Sequence, residues 1–137
     1  SMAAVCAGYR PLWDSDKILE QYECGNSITA VCVTKAIFGS DKSTYVEAQG
    51  AVNMAYGTFR IRASSREGSL NDSNGILTLQ YAPVPAAIID SYKVRSQLIL
   101  NKKELKASFV EQHKDVLSLQ FWKNYVEQSN LSCNKIK

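Results

Sequence analysis

Near residue 100 the spacing of apolar residues changes, and that change limits what this chain can fold into. Before it lie short segments rich in β-branched and aromatic residues, cut by turns. After it, Leu105, Phe109, Val116, Leu117, Leu119, Phe121, Trp122, Tyr125 and Val126 recur mostly at intervals of three and four, the period of an amphipathic helix. The pattern predicts an α+β fold, an antiparallel sheet of about five to seven strands closed by a C-terminal helix over Glu104–Gln128. Asp115 is a candidate cap for a second helix after a kink.

The strand signals are local. Ser27–Phe38 carries Ile28, Val31, Val33, Ile37 and Phe38, which suit a pleated surface, and Thr44–Ala55 follows after a polar turn. Gly50 inside that second strand implies a bulge or a close backbone approach. In Thr58–Ser64, Phe59, Ile61 and Ala63 alternate with Arg60, Arg62 and Ser64, so one face is apolar and the other wet. Asn74-Gly75 supplies a turn with positive φ before Ile76–Ala82. The expectation is a long-looped hairpin of 58–64 with 76–82, then an extended segment over Ile88–Leu100. Asp14-Ser15-Asp16 opens either a short capped helix or a turn and a strand. The predicted core is Val31, Val33, Phe59, Ile61, Leu77, Leu79, Leu98, Leu105, Phe109, Leu117 and Phe121.

A chain of 137 residues holds one core comfortably and two only marginally. Residues 3–128 are expected to form a single domain, with 129–137 a frayed tail and Ser1-Met2 a protease-cleavage remnant. The composition, 45% hydrophobic and 21% charged, is that of a soluble globular domain, and no apolar run approaches a membrane span. Net charge is +3, with four basic and six acidic side chains before residue 58 and twelve and seven after it. That asymmetry permits an anionic partner without demanding one.

The four cysteines, Cys6, Cys24, Cys32 and Cys133, contain no C-x-x-C pair, and the single histidine, His113, is remote from them in sequence. No metal site and no cofactor is expected. Cys32 within Ala30-Val31-Cys32-Val33 reads as a buried strand thiol, so the expectation is reduced cysteines and an intracellular, cytoplasmic or nuclear, location. The alternative is a secreted parent with disulfides, Cys6 with Cys133 for instance. The sequons Asn71-Asp72-Ser73 and Asn130-Leu131-Ser132 fit that alternative.

Catalysis lacks its usual signatures. There is no G-x-S-x-G and no phosphate-binding glycine loop. On a helix, Glu111 and Asp115 would point away from His113, leaving it a surface residue. Nucleic acid is disfavoured, because alternation puts Phe59 and the arginines on opposite faces. Phe121 and Trp122 are adjacent, so on a helix they point ~100° apart and one of them can face a partner.

Three weak resemblances carry fold expectations. The order of elements, with Trp122 on the closing helix, resembles the pleckstrin-homology-like layout. Leu12-Trp13-Asp14 followed by strands and by Pro83–Leu100 resembles the helix-grip lipid-transfer domains of the START type, which implies a lipid cavity. Phe121-Trp122-x-x-Tyr125 resembles the aromatic pattern of the BSD domain. The expected function is a non-catalytic interaction module binding a protein partner. Its contact surface is predicted at Trp122, Tyr125 and Lys123 on the helix, or at Arg60 and Arg62 on the sheet. A second copy is also a candidate partner, and the runner-up is a lipid or small apolar ligand held between sheet and helix.

Overall fold

The computed structural model describes Cys6 and residues 15–26, 28–40, 42–52, 58–85, 92–115 and 122–137. Among these residues a 3-10 turn at Ser15–Lys17 is followed by nine strands: β1 (Ile18–Gly25), β2 (Thr29–Phe38), β3 (Ser43–Val52), β4 (Thr58–Ser64), β5 (Leu70–Ser73), β6 (Ile76–Pro85), β7 (Tyr92–Asn101), β8 (Lys106–Asp115) and β9 (Lys123–Lys135). They form one antiparallel sheet in the order β4-β3-β2-β1-β9-β8-β7-β6-β5. Each half is a meander, and the two are joined where β1 meets β9. The sheet curls so that β4 packs beside β6 without a hydrogen-bonded ladder, giving a near-closed barrel.

The predicted C-terminal helix is overturned, and with it the α+β class: among the described residues, Glu104–Gln128 is a hairpin of β8 and β9. Asn101 Oδ1 accepts the N–H groups of Lys103 and Glu104 at 3.1 and 3.0 Å, the pattern of a helix N-cap. Leu105 then adopts φ 55° and the chain reverses instead of propagating. The stretch expected to fray is the second half of β9, where Tyr22 faces Lys135 and Cys24 faces Cys133. The hairpin of 58–64 with 76–82 is also replaced. β5 pairs with β6, and β4 lies at the other end of the sheet order. Asp14 lies outside the described residues; of the two readings for the segment that follows it, turn and strand is the one adopted over Ser15–Lys17 and Ile18–Gly25.

Other local signals act as expected. Asn74 and Gly75 take φ 55° and 77° and close the two-residue hairpin of β5 and β6. Gly50 pairs in regular register with Val31, and a Cβ there would meet the Ala30 carbonyl oxygen at 2.0 Å. It is therefore a close approach rather than a bulge.

One contiguous core lines the inner face of the sheet, including Val33, Ala48, Ile61, Leu77, Leu79, Leu98, Leu100 and Phe109. Val31 is also buried, and Leu105 packs partly against this cluster. The side chain of Phe59 and residues Leu117 and Phe121 lie outside the described set. Around β1–β3 the outer face is buried too, at Glu23, Cys32, Thr34 and Glu47. Cys6 lies there, its N–H donating to Glu23 at 3.0 Å.

All four cysteines are bridged, Cys6 with Cys32 and Cys24 with Cys133. This corrects the expected free thiols and the suggested Cys6–Cys133 partnership. Cys24 and Cys133 face each other across β1 and β9, so the bridge clamps the joint between the two halves. Among the described residues no helix is long and apolar enough to cross a membrane.

Candidate functional site

Alternation along β7 and β8 decides what faces inward. Leu98 is opposite Phe109, Ser96 opposite Glu111, and Val94 opposite His113. The inner wall therefore passes from buried aliphatic and aromatic side chains to half-buried polar ones as it nears one end. There the His113 ring nitrogen Nε2 lies 3.1 Å from Glu111 Oε2, with both side chains mostly shielded at 19% and 24% exposure. Two residues apart on a strand share a face.

β9 completes this end through a break in register. Glu111 faces Val126 and Gln112 faces Asn124, which leaves Tyr125 as an extra residue, a bulge that re-aims its side chain. The Tyr125 ring stacks on His113 at a centroid distance of 4.1 Å and an interplanar angle of 20°. Val126 is buried below it. On the outer side, Trp122 precedes β9 with the Arg95 guanidinium 4.1 Å and the Lys114 ammonium 5.8 Å from its ring. Arg95 Nε also donates to Gln112 at 2.6 Å, and Gln112 donates to Asn124 at 2.7 Å.

The predicted contact residues fall in two places. Trp122, Lys123 and Tyr125 gather at this end of β9, Lys123 and Tyr125 on the strand and Trp122 just before it, rather than on the expected helix. Tyr125 is 51% exposed, and Lys123 is exposed opposite His113. Arg62 is on β4, three strands beyond β1 in the sheet order, with Nε 3.8 Å from the buried Glu47 carboxylate. Arg60 is also on β4, its side chain outside the described set.

The opposite end is plugged by charge. Glu20 and Lys35 face each other on β1 and β2, and Asp72 on β5 and Lys102 in the β7–β8 turn close over them. Lys35 pairs with both Glu20 and Asp72. Lys102 Nζ lies 3.3 Å from Glu20 and 3.0 Å from Asp72, and the Tyr22 hydroxyl donates to Glu20 at 2.7 Å. Burial alone would push the Glu20 carboxyl up, but the Tyr22 hydrogen bond and the two lysines hold it below its ordinary value. Asp72 is lowered against the same penalty by Lys35 and Lys102. Burial opposes the charge on Lys102, yet its two carboxylate partners raise it. Burial and then Glu20 push the Tyr22 phenol up. Two cations and two anions neutralise one another, so this end reads as a structural floor rather than a reactive centre.

Glu111, Arg95 and the inward role of His113 escaped sequence reasoning. The signal that could have found them is the i, i+2 spacing of Glu111 and His113, once the segment is taken as a strand. No family model, no curated protein and no solved structure matches this chain.

Proposed function

We propose that the chain is a non-catalytic binding protein whose partner is a small, mainly apolar molecule with one hydrogen-bonding end, a lipid among the candidates. The molecule is held at the Glu111–His113 end of the near-barrel. The observation that carries this reading is that pair, turned inward above Leu98, Phe109 and Val126. Glu111 and His113 satisfy each other, but hydrocarbon of similar volume is often as stabilising as a shielded acid–base pair, so a fold optimised only for stability has no need of one there. A concave apolar surface with a few convergent polar groups is the usual form of a small-ligand site. Barrels of about eight strands have interiors that side chains just fill or that hold one small ligand. The neutralised charge cluster at the opposite end leaves the Glu111–His113 end as the one where a ligand would enter.

A protein partner is the second reading, favoured by Trp122 and Arg95 stacked at the same rim, residue types that dominate interface hot spots. A second copy of the chain is one such partner. Beside the expected intracellular location, an oxidising compartment is proposed as the alternative, supported by the pairing of all four cysteines.

The test is native mass spectrometry of the purified protein against its denatured mass, with a Glu111→Leu/His113→Leu double variant. A bound molecule lost on denaturation, and absent from the variant, is the expected result. A bare wild-type mass, with the variant more stable and otherwise identical, would overturn the reading. A doubled native mass would favour the homodimer.

A further inference from the structure

Among the described residues, the two sequons stand where the sheet leaves strands without a second neighbour. Asn71 and Ser73 are on β5, the terminal strand of the sheet order. Both are exposed, and the Ser73 hydroxyl donates to Asn71 Oδ1 at 3.1 Å. Asn130 and Ser132 are exposed on β9, on either side of the buried Leu131. β9 pairs with β1 only from Cys133 onward. Among the described residues, β8 is thus the one ladder partner of Lys123–Ser132. Asn130 sits in a second bulge, between the pairs Ala107–Leu131 and Phe109–Gln128, with φ 56°. A bulge lifts its residue out of the ladder.

We infer that Asn71 and Asn130 are both N-glycosylated and that the two glycans cap these open edges. Rows of unpaired N–H and C=O groups template edge-to-edge association, and natural sheets protect such rows with bulk, charge or bulges. A glycan at each position adds a bulky hydrated group where only one side of the strand is paired. In the transfer, the Asn Nδ2 forms a bond to the anomeric carbon of an oligosaccharide. The bond from that carbon to a polyisoprenyl pyrophosphate donor breaks, the pyrophosphate lipid leaves, and the amide nitrogen gives up one proton. No oxidant or reductant is consumed. The disulfides are compatible with the secretory route this requires. The inference is independent of the proposed ligand site, because neither sequon includes a residue of the Glu111–His113 end.

The test is secretion of the chain from a eukaryotic host, followed by intact mass before and after peptide N-glycosidase. The expected result is a carbohydrate mass excess removed by the enzyme, with Asn converted to Asp at positions 71 and 130. Asn71→Gln and Asn130→Gln should each lose one glycan. Because Asn130 has positive φ, Ser132→Ala, which keeps the asparagine and removes the acceptor hydroxyl, should lose the same glycan. An unmodified mass, in cells that glycosylate a control sequon, would overturn the inference. The capping role has its own readout. Enzymatically deglycosylated protein should self-associate on size exclusion, and a strictly monomeric product would overturn that role.

Discussion

Removing the Cys24–Cys133 bridge should cost more than any other single covalent change to this molecule. The bridge spans 109 residues and the Cys6–Cys32 bridge 26. Restricting the unfolded chain by a loop of the longer kind is worth about 4.8 kcal/mol at 25 °C, and of the shorter kind about 3.5 kcal/mol. The difference is reinforced by position. The two four- and five-strand meanders are joined by the short register of Tyr22–Cys24 with Cys133–Lys135, and the sulfurs lie inside that joint. A Cys24→Ala/Cys133→Ala variant, with the other bridge intact, is therefore expected to lose about 4–5 kcal/mol. Domains of this size have ~5–15 kcal/mol in all, so the variant should sit near its folding threshold and melt roughly 15 °C lower. Urea denaturation followed by far-ultraviolet circular dichroism measures the loss, with Cys6→Ala/Cys32→Ala as the comparison. A loss below about 1 kcal/mol for the long bridge, or a larger loss for the short one, would refute the reasoning.

Three further outcomes follow from the geometry. Gly50→Ala forces a methyl group onto the Ala30 carbonyl, so a loss of about 2–3 kcal/mol in chemical denaturation is expected; a neutral substitution would argue against the Val31–Gly50 register. Glu20 and Asp72 are held below their ordinary values of 4.5 and 3.8. Their contribution is thus present above those values and is lost as pH falls through the lower folded ones. Unfolding midpoints should decline as pH drops below ~5. Asp72→Asn should flatten that decline, and an unchanged slope would show that the floor is not its source. Trp122→Ala removes a cation–π contact worth ~0.5–1 kcal/mol at a half-exposed site, so the fold should survive with little change in melting temperature; global unfolding would place Trp122 in the core.

Most strands of the first hundred residues were readable because they carry their own signals. β-branched runs mark β2 and β3, and alternation marks β4. Asn74-Gly75 can occupy positive φ at low cost, and Gly50 is small enough for the neighbouring backbone. Core residues such as Val33, Ile61, Leu79 and Leu98 were identifiable on the same basis. Which strands pair was less legible. β5 has four residues of polar character, Leu70-Asn71-Asp72-Ser73, and nothing in that segment announces that it takes the place of β4 beside β6. Pairing at long range depends on the sum of the whole inner face.

The C-terminal third misled for a reason that also hid the site. Leu105 and Phe109 are four apart, a spacing that places residues on one face of a helix and equally on one face of a strand. Ala107 between them, buried on the same face, was the residue that distinguished the two periods. In β9 the two bulges break alternation, so that Val126, Leu131 and Cys133 are buried at intervals of five and two. No regular period survives there to be read. The error then propagated into chemistry. On a helix, residues 111 and 113 diverge and the histidine is a surface residue. On a strand they converge, and the bulge at Tyr125 brings an aromatic ring over the imidazole. The features that erased the periodic signal are the ones that build the candidate site, because a bulge re-aims a side chain by departing from the repeat that sequence analysis relies on.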